Sequence, residues 1–126
     1  MSAFAICPLT VAPVRVSASH RSEMASQLLF GETVECLEQK GRKWTKVRCC
    51  HDEYVGWMAT NQLISIDEST LSEVERDYAY VFDLFQPLMG DQQIQPVTLG
   101  ARLPGFDGMH FHLGQLQFTF SGQAIF

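Results

Sequence analysis

Cysteine and histidine are the residues of this chain best suited to chemistry, as metal ligands or as a nucleophile with its base, and each occurs four times. A tetrahedral zinc site asks for closely spaced pairs such as Cys-x-x-Cys. None of the spacings among Cys7, Cys36, Cys49 and Cys50 has that form, and the adjacent pair Cys49–Cys50 would point to opposite faces of a strand. The four cysteines therefore read as small buried hydrophobes. A nucleophilic cysteine needs a base beside it in space and a third group to orient that base, and adjacency of Cys50 and His51 in sequence is no sign of such geometry. His110 and His112 share one face of a strand, a spacing that can bind a metal, but no third ligand is in view and they read as paired surface histidines. Trp44 and Trp57 could line a peptide groove, although packing is the simpler role for both. No metal or cofactor is expected.

The elements that must position these residues are short strands. Thr45, Val47 and Cys49 alternate with Lys46 and Arg48, which is the period of a half-buried antiparallel strand. Similar runs at 33–38 and 54–58, a bend at Gly31, polar turns at 39–43 and 51–53 and a single helical turn near Asn61 make a β unit of about sixty residues, with Val34, Val47, Leu63 and Trp57 in or against its core. From Asp67 to Tyr78 the pattern changes. Asp67 or Ser69 can cap a helix whose Leu71, Val74 and Tyr78 fall at helical spacing. Strand patterns return over 80–89 and 95–103, broken at Gly90-Asp91 and bent at Gly100. A turn at 105–108 follows, and Leu116, Phe118 and Phe120 then alternate with Gln115, Gln117 and Thr119. The segments Leu28-Leu29-Phe30-Gly31-x-x-Val34 and Val97-Thr98-Leu99-Gly100-x-x-Leu103 echo one another across the two units. A unit of this size buries only roughly 60% of its unfolded surface, so the two should lean on each other or on something else.

Charge and hydropathy narrow the partners. The chain of 126 residues carries nine basic and fourteen acidic side chains, a net charge of −5, which removes the attraction that nucleic acid and anionic membranes depend on. No apolar run reaches the length of a transmembrane helix, and Met1 to Cys7 has neither the basic start nor the apolar segment of a signal peptide. No nucleic acid, no membrane and a cytoplasmic location are the expectations.

Trp44-Thr45-Lys46-Val47 followed by Tyr54-Val55-Gly56-Trp57 resembles the text of bacterial SH3-like domains. More specifically, Arg21-Ser22-Glu23-Met24-Ala25-Ser26-Gln27-Leu28-Leu29-Phe30-Gly31-Glu32 and Gly100-Ala101-Arg102-Leu103-Pro104-Gly105-Phe106-Asp107-Gly108 are similar to the two SH3-like units that precede the catalytic domain in NlpC-type γ-D-glutamyl-L-diamino acid endopeptidases. The resemblance implies an all-β chain of two small SH3-like barrels joined by a short helix, with a first domain over 1–66, a helical connector over 67–78 and a second domain over 79–126. It implies also a role in recycling of wall fragments, with a peptidoglycan stem peptide and a C-terminal catalytic domain as partners. The Asp-Cys-Ser-Gly segment that carries the nucleophile in those enzymes does not occur here, so this chain is expected to be non-catalytic. It is expected to be a recognition half cut at a domain boundary, with the uncovered docking face able to drive self-association. In the family the first unit reads the free amino terminus of the peptide's L-Ala, and the matching positions are Glu23 and Tyr54. A stand-alone module that binds wall peptide or a protein partner is the alternative.

Overall fold

The computed structural model describes residues 3–83, 85–90, 93–113 and 116–126. Seven strands precede the helix: β1 (Phe4–Ile6), β2 (Val11–Arg15), β3 (Met24–Leu29), β4 (Thr33–Lys40), β5 (Trp44–Cys49), β6 (Val55–Ala59) and β7 (Ile64–Ile66). All of them join one antiparallel sheet in the order β3-β2-β6-β5-β4-β1-β7, with a 3-10 turn at Thr60–Gln62 before β7. The alternation in β5 is realised as expected. Thr45, Val47 and Cys49 are buried, and Val47 stands opposite Gly56 and Thr45 opposite Met58, both buried as well. Trp57 departs from the expectation that it lies in or against the core. It pairs with Lys46 on one side and Arg15 on the other, one residue out of phase with Gly56 and Met58, so it stands half-buried on the opposite face of the sheet.

Helix α1 (Glu68–Arg76) starts where its capping chemistry allows: Asp67 Oδ1 accepts from the Thr70 amide at 2.7 Å. It ends where Asp77 turns extended, its N–H still donating to Glu73 O at 3.0 Å. Val74 is its buried residue and Leu71 packs beside it. Beyond the helix, β8 (Tyr78–Val81), β11 (Arg102–Pro104) and β14 (Ala124–Ile125) form a three-stranded sheet in the order β11-β8-β14. A four-stranded sheet, in the order β10-β9-β13-β12, holds β9 (Phe85–Gly90), β10 (Ile94–Thr98), β12 (His110–Leu113) and β13 (Leu116–Thr119). The run expected as one strand over 80–89 is thus divided between two sheets. Asp91 and Gln115 lie outside the described residues. The architecture is all-β with one short helix, and among the described residues the sheets run as open ladders rather than closed barrels, β3 and β7 ending the first.

The β units lean on each other through a common core. Ile6, Phe30 and Ile66 from the first, Val74 from the helix and Leu88, Val97, Leu103, Phe111, Phe118 and Phe120 from the second belong to one buried cluster. The Phe30 ring meets Phe111 and Phe118 edge-on at centroid distances of 6.0 and 5.9 Å. A smaller cluster built on Ala12, Val14, Leu28, Val34, Val47 and Met58 belongs to the first unit alone.

The two echoing segments of sequence meet at this junction. Gly31 and Gly100 both take left-handed backbone, with φ of 83° and 90°. The Arg102 amide donates to Phe30 O at 2.8 Å, and a Cβ on Gly31 would fall 2.0 Å from Arg102 O. Glycine is therefore required at position 31 both by its own conformation and by the chain packed against it. The buried Arg102 side chain then reaches across the junction, with Nη1 at 3.1 Å from Glu75 Oε2 and its guanidinium 4.4 Å from the Tyr78 ring centroid. The other Glu75 oxygen accepts from Thr33 Oγ1 on β4, so one helix carboxylate ties β4 to β11.

Candidate functional site

Glu23 and Tyr54 sit at strand starts. Glu23 immediately precedes β3, at the end of a polar loop that several hydrogen bonds hold closed. Val16 N–H donates to Glu23 O at 3.0 Å, Ser17 N–H to Ser22 Oγ at 2.9 Å, and Ser22 N–H to Ser19 O at 3.0 Å. The Arg15 guanidinium adds a bond from Nη1 to Ser22 O at 2.9 Å, directly beside Glu23. Glu23 is exposed. The backbone that carries this carboxylate is thus held in place while its side chain faces water.

Tyr54 immediately precedes β6 and ends the turn from β5. In that turn Glu53 takes left-handed backbone at φ 60°, Asp52 Oδ1 accepts from Tyr54 N–H at 3.0 Å, and Tyr54 O accepts from Cys49 N–H at 2.8 Å. The ring is half-buried against the first unit's own core and lies over Gly56. Its Cε1 is 3.0 Å from the place a Cβ on Gly56 would take. The absence of a side chain at Gly56 makes room for the phenol.

The ladder register relates the two positions. Met24 pairs with Arg15, and Arg15 with Trp57, so β3, β2 and β6 lie side by side with Glu23 and Tyr54 at the same end of the sheet. Two ladder steps of about 4.8 Å each separate their strands. Two residues 31 positions apart in sequence are in this way brought to one rim.

Cys7 and Cys49 are buried as expected, whereas Cys36 is half-buried and Cys50 is exposed, so the expectation of four buried thiols fails at Cys50, which follows Cys49 on the other side of the chain. Burial pushes Cys7 up to about 11 and Cys49 up to about 12, and it raises Cys36 and Cys50 as well. His51 lies against carboxylates, with Nε2 3.3 Å from Asp52 Oδ2 and Nδ1 3.8 Å from Glu32 Oε2. Sequence reasoning missed two features. The Arg15 anchor of the Glu23 loop was hidden because a lone arginine before a serine-rich stretch reads as a solvated charge. The junction of Arg102 with Glu75 was hidden because nothing local links residues 27 positions apart.

Residues 14–63 match the family model of the bacterial dipeptidyl-peptidase Sh3 domain. The first β unit is SH3-like. The matched segment includes both Glu23 and Tyr54. Among curated proteins none matches this sequence. The crystal structure of an NlpC/P60 family protein from Bacillus cereus is similar over 96% of this chain, with a TM-score of 0.71 and 16% sequence identity. At that identity the likeness is one of fold, and it takes in both β units and the helix. The match occupies 55% of that protein's chain, so this chain spans about half its length.

Proposed function

We propose that this chain is the substrate-recognition region of an NlpC-type cysteine peptidase that acts on peptidoglycan stem peptides in cell-wall recycling in the cytoplasm, and that Glu23 and Tyr54 read the free amine of the peptide's N-terminal L-Ala. The observation that carries the reading is the placement of these two residues at one end of the sheet, inside the segment that matches a bacterial SH3 family. An ammonium offers three donors. A carboxylate and a phenol oxygen on one rim can supply charge-assisted acceptance, which an acylated or internal residue cannot use. The fold likeness to an NlpC/P60 protein of nearly twice the length supports a further, catalytic domain as the partner of this region. Tyr80, Phe82 and Ile125 are exposed, with Tyr80 paired to Ile125 across β8 and β14, and they offer apolar surface suited to docking such a domain or a second copy of this chain, while Phe126 stacks on Phe106.

The test is titration of the isotopically labelled chain with L-Ala-γ-D-Glu-diaminopimelate and with its N-acetylated form, followed by NMR. The free peptide should shift amides around Glu23 and Tyr54 with weak affinity, since a single wall of a cleft is present, and the acetylated peptide should not. Equal shifts from both peptides, or shifts confined to another face, would defeat the assignment of Glu23 and favour a binding module of different specificity. In the peptidase that carries this region, a charge-assisted hydrogen bond of about 1.5–3 kcal/mol implies that Glu23→Gln lowers kcat/KM roughly ten- to a hundredfold.

A further inference from the structure

A second constellation stands on the outward face of β12 and β13, and it does not depend on the peptide reading. His110 and His112 are exposed while Phe111 and Leu113 are buried, so both imidazoles leave the sheet on the same side. Residues two apart on a strand have Cα atoms about 6.8 Å apart, a span that two imidazole arms can close onto one ion at metal–nitrogen bonds of about 2.0 Å.

The surroundings suit a cation. Asp107 Oδ1 accepts from the amides of His110 and Met109 at 2.7 and 2.9 Å, which holds the start of β12 and sets a carboxylate at the backbone of the first histidine. His110 Nδ1 lies 3.2 Å from Thr119 Oγ1 on the neighbouring strand, a contact that orients the ring and leaves Nε2 without that engagement. His112 stands opposite Gln117 in the ladder. Both histidines, with Asp107, Gln117 and Thr119, line an open groove of about 520 Å³. Both imidazoles are exposed, so the groove is open to solvent where they stand.

We propose that His110 and His112 form a solvent-open chelate for a borderline divalent transition-metal ion of the Ni²⁺, Cu²⁺ or Zn²⁺ class. Paired imidazoles suit these ions, whereas Ca²⁺ and Mg²⁺ favour oxygen ligands. Among the described residues no group of three or more His, Cys, Asp or Glu side chains converges, so water completes the shell and the ion is exchangeable. This is a binding site of open coordination and not a structural zinc centre.

Ni²⁺ is the probe, because Cu²⁺ would oxidise the exposed Cys50 thiol. The full chain is titrated with NiCl₂ in a non-coordinating buffer by calorimetry, and paramagnetic broadening of amide signals locates the ion. One ion per chain is expected, with broadening centred on residues 110–112 and 117–119. His110→Gln and His112→Gln should each weaken binding by roughly tenfold or more. His20→Gln and His51→Gln should leave it unchanged, since His20 packs tilted against Trp44 at 4.7 Å and His51 lies against Glu32 and Asp52 in the other unit. Both strand histidines are exposed, so circular dichroism should show the variants folded. Absence of saturable binding, broadening centred on Cys50 or His51, or full affinity in either strand variant overturns the proposal.

Discussion

Removal of either partner of the junction ion pair should destabilise the chain, and the two removals should not be equal. The Arg102 side chain is 9% exposed, while the Glu75 side chain keeps 33% of its surface in water. In Glu75→Gln the guanidinium stays buried without its carboxylate, the situation that costs about 3–5 kcal/mol for fully buried pairs. Solvent already screens Glu75, so the lower end, about 3 kcal/mol, applies. In Arg102→Met the carboxylate left behind is the one that water can reach, and it keeps its bond from Thr33 Oγ1. That substitution loses a cation–π contact with Tyr78 worth about 1 kcal/mol and a partly screened ion pair worth about 2 kcal/mol. It also relieves the buried Arg102 Nε, which has no hydrogen-bond partner among the described residues and costs about 1 kcal/mol. The net loss is about 2 kcal/mol, or roughly 8 °C in Tm for a chain of this length. Urea denaturation of the two single variants and the double variant, read by tryptophan fluorescence and checked by calorimetry, completes the cycle. The double variant should fall well short of the sum. Arg102→Met proving more damaging than Glu75→Gln, or both costing less than about 0.5 kcal/mol as surface pairs do, would refute the claim that this junction is a buried electrostatic tie.

Gly31→Ala should be the most damaging of the glycine substitutions at left-handed positions, by about 3 kcal/mol or more. It adds the clash with Arg102 O to the conformational cost, whereas Gly41→Ala, with φ 63° and no atom within 4 Å of the new Cβ, should cost only about 1–2 kcal/mol in the same denaturation assay. Phe30→Ala should cost about 3–5 kcal/mol and loosen the second unit as well as the first, seen as lost amide-exchange protection at Phe111 and Phe118. Cys7 and Cys49, whose thiols are raised to about 11 and 12, should resist alkylation at pH 8 while exposed Cys50 reacts first; because folding disfavours their thiolates, their contribution to stability is complete below the unfolded thiol pKa and is lost as pH rises above it. Asp67 and Asp107 are lowered by amide hydrogen bonds, so their contribution is present above the ordinary carboxylate pKa and is lost as pH falls through their depressed values. Asp67→Ala should flatten the acid limb of a pH–stability curve, and an unchanged limb would show that the helix cap is not coupled to folding.

What the residues determined by themselves is local. The two-residue period of Thr45, Val47 and Cys49 decided which side of β5 is buried, because successive side chains on a strand must alternate. Gly31 and Gly100 marked the bends, both left-handed, where a side chain would be strained. Asp67 marked the start of the helix through its capping bond, and Asp107 held the turn before β12 in the same manner. Periodicity names a face but no partner, so only the tertiary structure decided what each face meets. Phe30 and Ile6 joined the core shared with the second unit, and the run expected as one strand divided between two sheets. Trp57 fell on the face away from the core because it alternates with Gly56 and Met58, whose side of β6 meets Val47 and Thr45. Nothing local in the sequence announces the burial of Arg102, since the carboxylate that compensates it lies 27 residues away on the helix. Glu23 and Tyr54 could be named from a resemblance of motifs. Their arrival at one rim depended on β2 pairing with both β3 and β6, and long-range strand pairing of that kind is set by global packing that no local window of residues encodes.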